Sequence, residues 1–76
     1  LLEGGVEVLE FEIPPDSPVD GSTVAELHVP HDVLIGAVVR DGHSEIARGK
    51  SELHGGDHVV VFAMSTSVGE ASRIFS

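Results

Sequence analysis

Apolar residues cluster in two unbroken runs. The longer is Val33-Leu34-Ile35-Gly36-Ala37-Val38-Val39, which reaches water again only at Arg40. The shorter is Val59-Val60-Val61-Phe62-Ala63. Both are rich in β-branched residues, and both are short enough to read as strands rather than helices. A strand that is apolar at every position, not at every second one, is expected to be covered on both faces. In Val33 to Val39 one face can meet the chain's own helices. The other predicts contact with something else, most simply a second copy. Asp41-Gly42 then supplies the dipeptide that tight hairpins favour, because Gly adopts positive φ without a Cβ clash.

The remaining pattern fills in around these runs. Val6 to Ile13 predicts a strand with a change of phase: Val6 and Val8 fall on one side, and Leu9, Phe11 and Ile13 on the other. That change predicts either a bulge near Val8-Leu9 or two differently covered halves. Glu7, Glu10 and Glu12 read as a solvated face. Pro14, Pro15 and Pro18 end the strand in a rigid connection, since proline removes ladder donors and cannot continue a helix. Thr23-Val24-Ala25-Glu26 has capping-box spacing and predicts a short helix to about His28, stopped by Pro30. Ser44 to Ala47 reads as a polar edge strand. Arg48 to Asp57 reads as a glycine-punctuated loop anchored by Leu53. Ser67-Val68-Gly69-Glu70 is a second capping-box spacing, opening a helix with Val68, Ala71, Ile74 and Phe75 on one side. Gly69 weakens that helix by about 1 kcal/mol relative to Ala. The predicted order is β-α-β-β-β-α, an α+β domain over residues 1–76 with two helices packed on a mostly antiparallel sheet.

Composition narrows the function. A chain of 76 residues makes one domain, and at this size only about 60% of the unfolded surface is buried, so pairing is a natural source of extra stability. Net charge is −9, from 13 acidic residues against four Lys and Arg. That balance argues against nucleic acid, whose backbone requires clustered cations, and against anionic membrane surfaces. Three Phe with no Trp or Tyr leave little to stack bases on. The absence of Cys removes disulfides and thiolate metal sites. No apolar run approaches the ~20 residues of a membrane helix. Leu1-Leu2-Glu3-Gly4-Gly5 lacks the basic and apolar regions of a signal peptide. It reads as the middle of a longer chain.

Candidate chemistry is sparse. Gly49-Lys50-Ser51 imitates the end of a phosphate-binding loop, but Ser44 stands where the first Gly of that motif is required, and no helix follows. His28, His31, His43, His54 and His58 read as exposed loop histidines, without the convergence of three or four ligands that zinc requires. No nucleophile elbow and no catalytic Cys is present, so enzyme activity is not expected. Arg40 and Arg48 each sit at a strand rim. They can pair with acidic neighbours or present a guanidinium fork to an anion.

The ordered set of these features resembles the TrkA C-terminal domain, also called the RCK C-terminal domain. The resemblance rests on Val6-Glu7-Val8-Leu9-Glu10-Phe11-Glu12-Ile13, on Pro18, Gly21 and Thr23 with Ala25-Glu26-Leu27, on Val33 to Gly42, and on Gly49, Leu53, Gly56-Asp57 and Val59-Val60-Val61-Phe62. It implies a cytoplasmic regulatory module, peripheral to the inner membrane, that forms a homodimer and acts on a TrkH-type potassium transporter subunit. It also implies a small anionic or nucleotide ligand at the dimer interface, and NAD in a preceding Rossmann domain rather than in this segment. Similar domains are attached to cation/proton antiporters and anion permeases, and a ligand-independent assembly module is the alternative. Members that bind cyclic di-AMP use an Asp-x-Arg element before an Asn-containing strand start. Here Ala25 to His31 and Asp32-Val33 carry neither, which argues against that ligand. The candidate ligand or dimer-interface residues are Val33, Leu34 and Ile35, with His31 and Arg40 at the rim.

Overall fold

The computed structural model describes residues 4–76. Leu1, Leu2 and Glu3, which open the connection noted above, lie outside the described residues. Four strands form one antiparallel sheet: β1 (Val6–Glu12), β2 (Val33–Arg40), β3 (His43–Ile46) and β4 (His58–Met64). Their spatial order is β1-β4-β2-β3, so the two most apolar strands lie at the centre and the polar β3 lies at an edge, as expected. Helix α1 (Val68–Ile74) follows β4 through a 3₁₀ turn at Ser65–Ser67. The β2–β3 hairpin turns on Asp41 and Gly42, whose φ values are 51° and 78°. Two positive values are the signature of the turn whose twist matches a hairpin.

The first predicted helix is reduced to a single 3₁₀ turn at Ala25–Leu27. Its capping box does form. The Thr23 N–H donates to Glu26 Oε1 at 2.8 Å, and the Glu26 N–H donates to Thr23 Oγ1 at 3.3 Å. The turn cannot grow, because His28 takes a left-handed φ of 49° and Pro30 follows. The second predicted box does not close: no side-chain cap bonds the start of α1, and Ser67 is buried instead.

Pairing of β1 with β4 runs without a register shift from Val6↔Met64 to Glu12↔His58, so no bulge lies at Val8-Leu9. The phase change there reflects two differently covered faces. The irregularity lies in β2, where Ile35 pairs with Val61 but Ala37 pairs with Val60, leaving Gly36 unpaired in the ladder. The ring of Phe62 occupies the space beside Gly36. A Cβ at this position would fall 2.8 Å from Phe62 Cε2.

The core lies on one side of the sheet. Val33, Ile35, Val38, Val59, Val61 and Ala63 project into it, met by Ile13, Val19, Leu53, Ala71 and Phe75 from the connections and α1. Phe11 stacks on Phe75 with ring centroids 5.5 Å apart, pinning the helix to β1. Leu53 is fully buried and also ties its strandless segment to the rest: its N–H donates to the Ser22 carbonyl, and its carbonyl accepts from the Gly21 N–H. Leu53→Ala is therefore expected to cost about 3 kcal/mol, read as a lower urea midpoint with an unchanged slope. A loss below about 1 kcal/mol would show that the loop is not a working part of the core.

Candidate functional site

Among the described residues nothing packs upon the opposite face of the sheet. Along β4 the side chains alternate: Val59, Val61 and Ala63 are buried, while Phe62 and Met64 are exposed and Val60 is half-buried. Register places Val8, Phe62 and Leu34 in one row across β1, β4 and β2, with Val6 and Met64 paired beside them. Leu34 is 63% exposed and Ile46 64%. Strand spacing and rise give this face an area of about 450 Å² in projection. Apolar patches beyond a few hundred Å² mark interaction sites in soluble proteins. β2 is thus covered on its core side and open on the other within a single chain.

Phe62 lies low because Gly36 leaves it room, whereas Leu34 stands proud. Beside Leu34 the face dips into a cavity of about 190 Å³. Its walls are Val33, Leu34, Phe62, Ala63, Met64 and Val6, with His31 and Asp32 at the mouth. His31 Nε2 lies 3.0 Å from Asp32 Oδ1, and the His31 side chain is almost fully exposed. The cavity thus has apolar walls and one imidazole–carboxylate pair, with no preformed cluster of anion donors.

Three of the five candidate residues come together here: His31, Val33 and Leu34. Ile35 is separated from them because it faces the core. Arg40 stands at the far end of β2, six residues beyond Leu34, or about 20 Å along an extended strand. Sequence reasoning did not single out Val8, Phe62 and Met64, which complete the face. Their signal was present as alternation within β1 and β4, but Val59 to Ala63 reads as uniformly apolar and hides which side each residue takes.

Arg40 forms a bidentate ion pair with Asp57. Its Nε donates to Oδ1 at 2.8 Å and its Nη2 to Oδ2 at 2.7 Å, and Nη2 also donates to the Glu52 carbonyl at 3.2 Å. Asp57 is only 2% exposed and takes a further bond from the His54 N–H. The Arg40 guanidinium holds the Asp57 carboxyl below the usual carboxylate range, against the opposing effect of burial. Arg40 takes the ion-pair role of the two open to it, and its fork is already occupied.

The histidines are not all in loops. His43 begins β3 and His58 begins β4. Three have carboxylate neighbours: His31 with Asp32, His54 with Glu52 and Asp20, and His58 with Glu10 and Glu12. Among the described residues no group of three His, Cys, Asp or Glu is arranged to hold a metal ion.

Comparison with known proteins places these features among relatives. The family model for the TrkA-C domain matches residues 8–76. A Trk system potassium uptake protein TrkA homolog of Archaeoglobus fulgidus is 36% identical over 72 residues, covering 95% of this chain and 16% of that protein. A TrkA homolog of Pyrococcus horikoshii is 34% identical over 75 residues, covering 97% of this chain and 33% of that protein. The chain therefore spans a third or less of the length of these curated relatives. A solved structure titled "Structure of RCK domain with cda" superposes with a TM-score of 0.74 at 17% identity, covering 91% of this chain and 97% of that one. At that identity the likeness is one of fold.

The Arg40–Asp57 pair predicts an acid limb in stability. Because the folded carboxyl titrates below its unfolded value, the pair contributes fully above about pH 4 and is lost as pH falls through the lowered folded value. Asp57→Asn is expected to cost about 2 kcal/mol at neutral pH and to make unfolding free energy less steep between pH 4 and pH 2. Denaturant titrations across that range check both, and an unaltered acid slope in the variant counts against the assignment.

Proposed function

Because the chain belongs to the TrkA-C domain family, we propose that it is a regulatory domain of a potassium-uptake system, pairing with a second copy through its open sheet face and taking a small anionic or nucleotide ligand at the end of that face. The observation that carries this reading is an uncovered apolar face that dips into a cavity at one end. A two-fold pair brings the same patch of both copies together, so a face apolar at its centre is complementary to itself. Burying about 450 Å² on each copy falls at the weak end of specific interfaces. The pair is accordingly expected to separate on dilution unless a longer parent protein holds the copies together.

Magnitude also constrains the ligand. A cavity of about 190 Å³ is smaller than the ~300 Å³ or more that encloses a typical small-molecule ligand. A nucleotide therefore needs the cavities of both copies, with Leu34 and Phe62 as walls and His31 at the mouth. Such a ligand changes the angle between copies only as far as it binds one arrangement better than the other. Rotation about the interface then passes the change to attached domains and to a TrkH-type transporter subunit. The names of the TrkA relatives support the potassium role, and the apolar walls support binding without catalysis. NAD, on this reading, belongs to a preceding Rossmann domain of the parent protein. The domain works at the cytoplasmic side of the inner membrane. No helix among the described residues is long and apolar enough to cross a membrane.

Two measurements test this. Leu34→Asp places a charge at the centre of the face and is expected to leave a folded monomer by light scattering; a dimer of unchanged stability refutes the interface. In a thermal-shift panel of nucleotides, cyclic dinucleotides and divalent metals, a true ligand at 100 times its Kd adds about 2.7 kcal/mol. A dimer that responds to none of them is a ligand-independent assembly module, and the sensing part of the proposal fails.

A further inference from the structure

The end of the open face opposite the cavity carries a second cluster. His58, at the start of β4, pairs in register with Glu12 of β1 and Val39 of β2. Its Nδ1 lies 2.8 Å from Glu10 Oε2 and its Nε2 lies 3.8 Å from Glu12 Oε1. One imidazole thus spans two carboxylates two residues apart on the same strand. From β2 and β3 the groups facing it are Val39 and, paired with Val39, Ser44, which bring no charge. The Lys and Arg residues are elsewhere: Arg40 is held by Asp57, Arg48 and Lys50 lie in the loop before β4, and Arg73 lies in α1. Among the described residues, His58 is the side chain placed to neutralise this end of the face.

We infer that His58 with Glu10 and Glu12 makes pairing of the open faces pH-dependent, tighter as pH falls from 8 to 6. The inference rests on the pairing proposed above and adds its control. A neutral imidazole leaves both carboxylate charges uncompensated, whereas an imidazolium donates from Nδ1 to Glu10, stands within ion-pair distance of Glu12 and cancels one of the two negative charges. Histidine as a type changes charge in this pH interval. Setting the acidic ends of two copies near one another costs less when each carries a cation between its carboxylates, so association strengthens in acid. The −9 net charge of each copy acts in the same direction but is spread over the surface and screened by salt. The cluster is local to the interface rim.

The test is sedimentation equilibrium on the 76-residue chain at fixed ionic strength, at pH 6, 7 and 8. The dimer Kd of the parent sequence is expected to fall about tenfold from pH 8 to pH 6. His58→Gln, which cannot charge, should still dimerise but lose most of that dependence. Glu10→Gln with Glu12→Gln should dimerise more tightly at pH 8 and respond little to pH. A parent dimer whose Kd does not change with pH overturns the switch and leaves the pairing intact. A His58→Gln variant that keeps the full dependence also overturns it. A chain that is monomeric at every pH overturns the pairing itself.

Discussion

The constraint behind every other feature is that the described residues cover one side of the sheet and leave the other open. Four strands take up 26 residues, and among the described residues the connections and one short helix supply the cover. They do so efficiently. Ile13, Val19 and Leu53 come from segments with no regular structure, and Ala71 and Phe75 come from the last turns of the chain. None of the described residues outside the strands packs on the other face. That face is nonetheless apolar along three strands, so the sequence specifies a surface that a lone domain cannot bury.

Holding irregular segments against a sheet needs directional bonds as well as contact. Asp57 provides several of them. Its side chain binds Arg40 and the His54 N–H, its carbonyl accepts the Ile13 N–H, and its own N–H donates to His54. It thereby joins the ends of β1 and β2 to the start of β4. A buried carboxylate with this many partners stabilises a specific arrangement, and removing either charge strands the other. The cost of this arrangement is functional: the most favourable anion-binding side chain on β2 is committed to structure.

The architecture was legible from patterning because its strands are short, β-branched and bounded by Gly and Pro. The Asp41-Gly42 turn, the edge position of β3 and the anchoring by Leu53 all follow from local chemistry. Three features were not legible. The helix at Ala25 is one turn, because the left-handed backbone of His28 leaves no trace that composition can reveal. The bulge falls at Gly36 and not at Val8, since it depends on the ring of Phe62, 26 residues away in sequence. The partner of Arg40 lies in a loop 17 residues on, and only the tertiary path selects Asp57 among 13 acidic residues. Of the candidate residues, the structure brings His31, Val33 and Leu34 together at one end of the open face. Uniform apolarity in β4 concealed Phe62 and Met64, and alternation put Ile35 on the core side.

Gly36 links these points to function. Any other residue at position 36 would place a Cβ 2.8 Å from Phe62 Cε2, so the ring would have to move. With Gly there, Phe62 lies flat and Leu34 is left as the high point beside the cavity. The two ends of the face then differ: an apolar knob and hollow at one, an imidazole bridging two carboxylates at the other. In the proposed pair a two-fold axis running along the strands would lay apolar end on apolar end and set the two charged ends beside each other at the rim. There solvent and salt reach them, and a proton can still enter or leave. On that proposal the apolar end selects which surfaces meet, and the charged rim adjusts how strongly. This division allows a small interface to be adjusted without repacking the core beneath it.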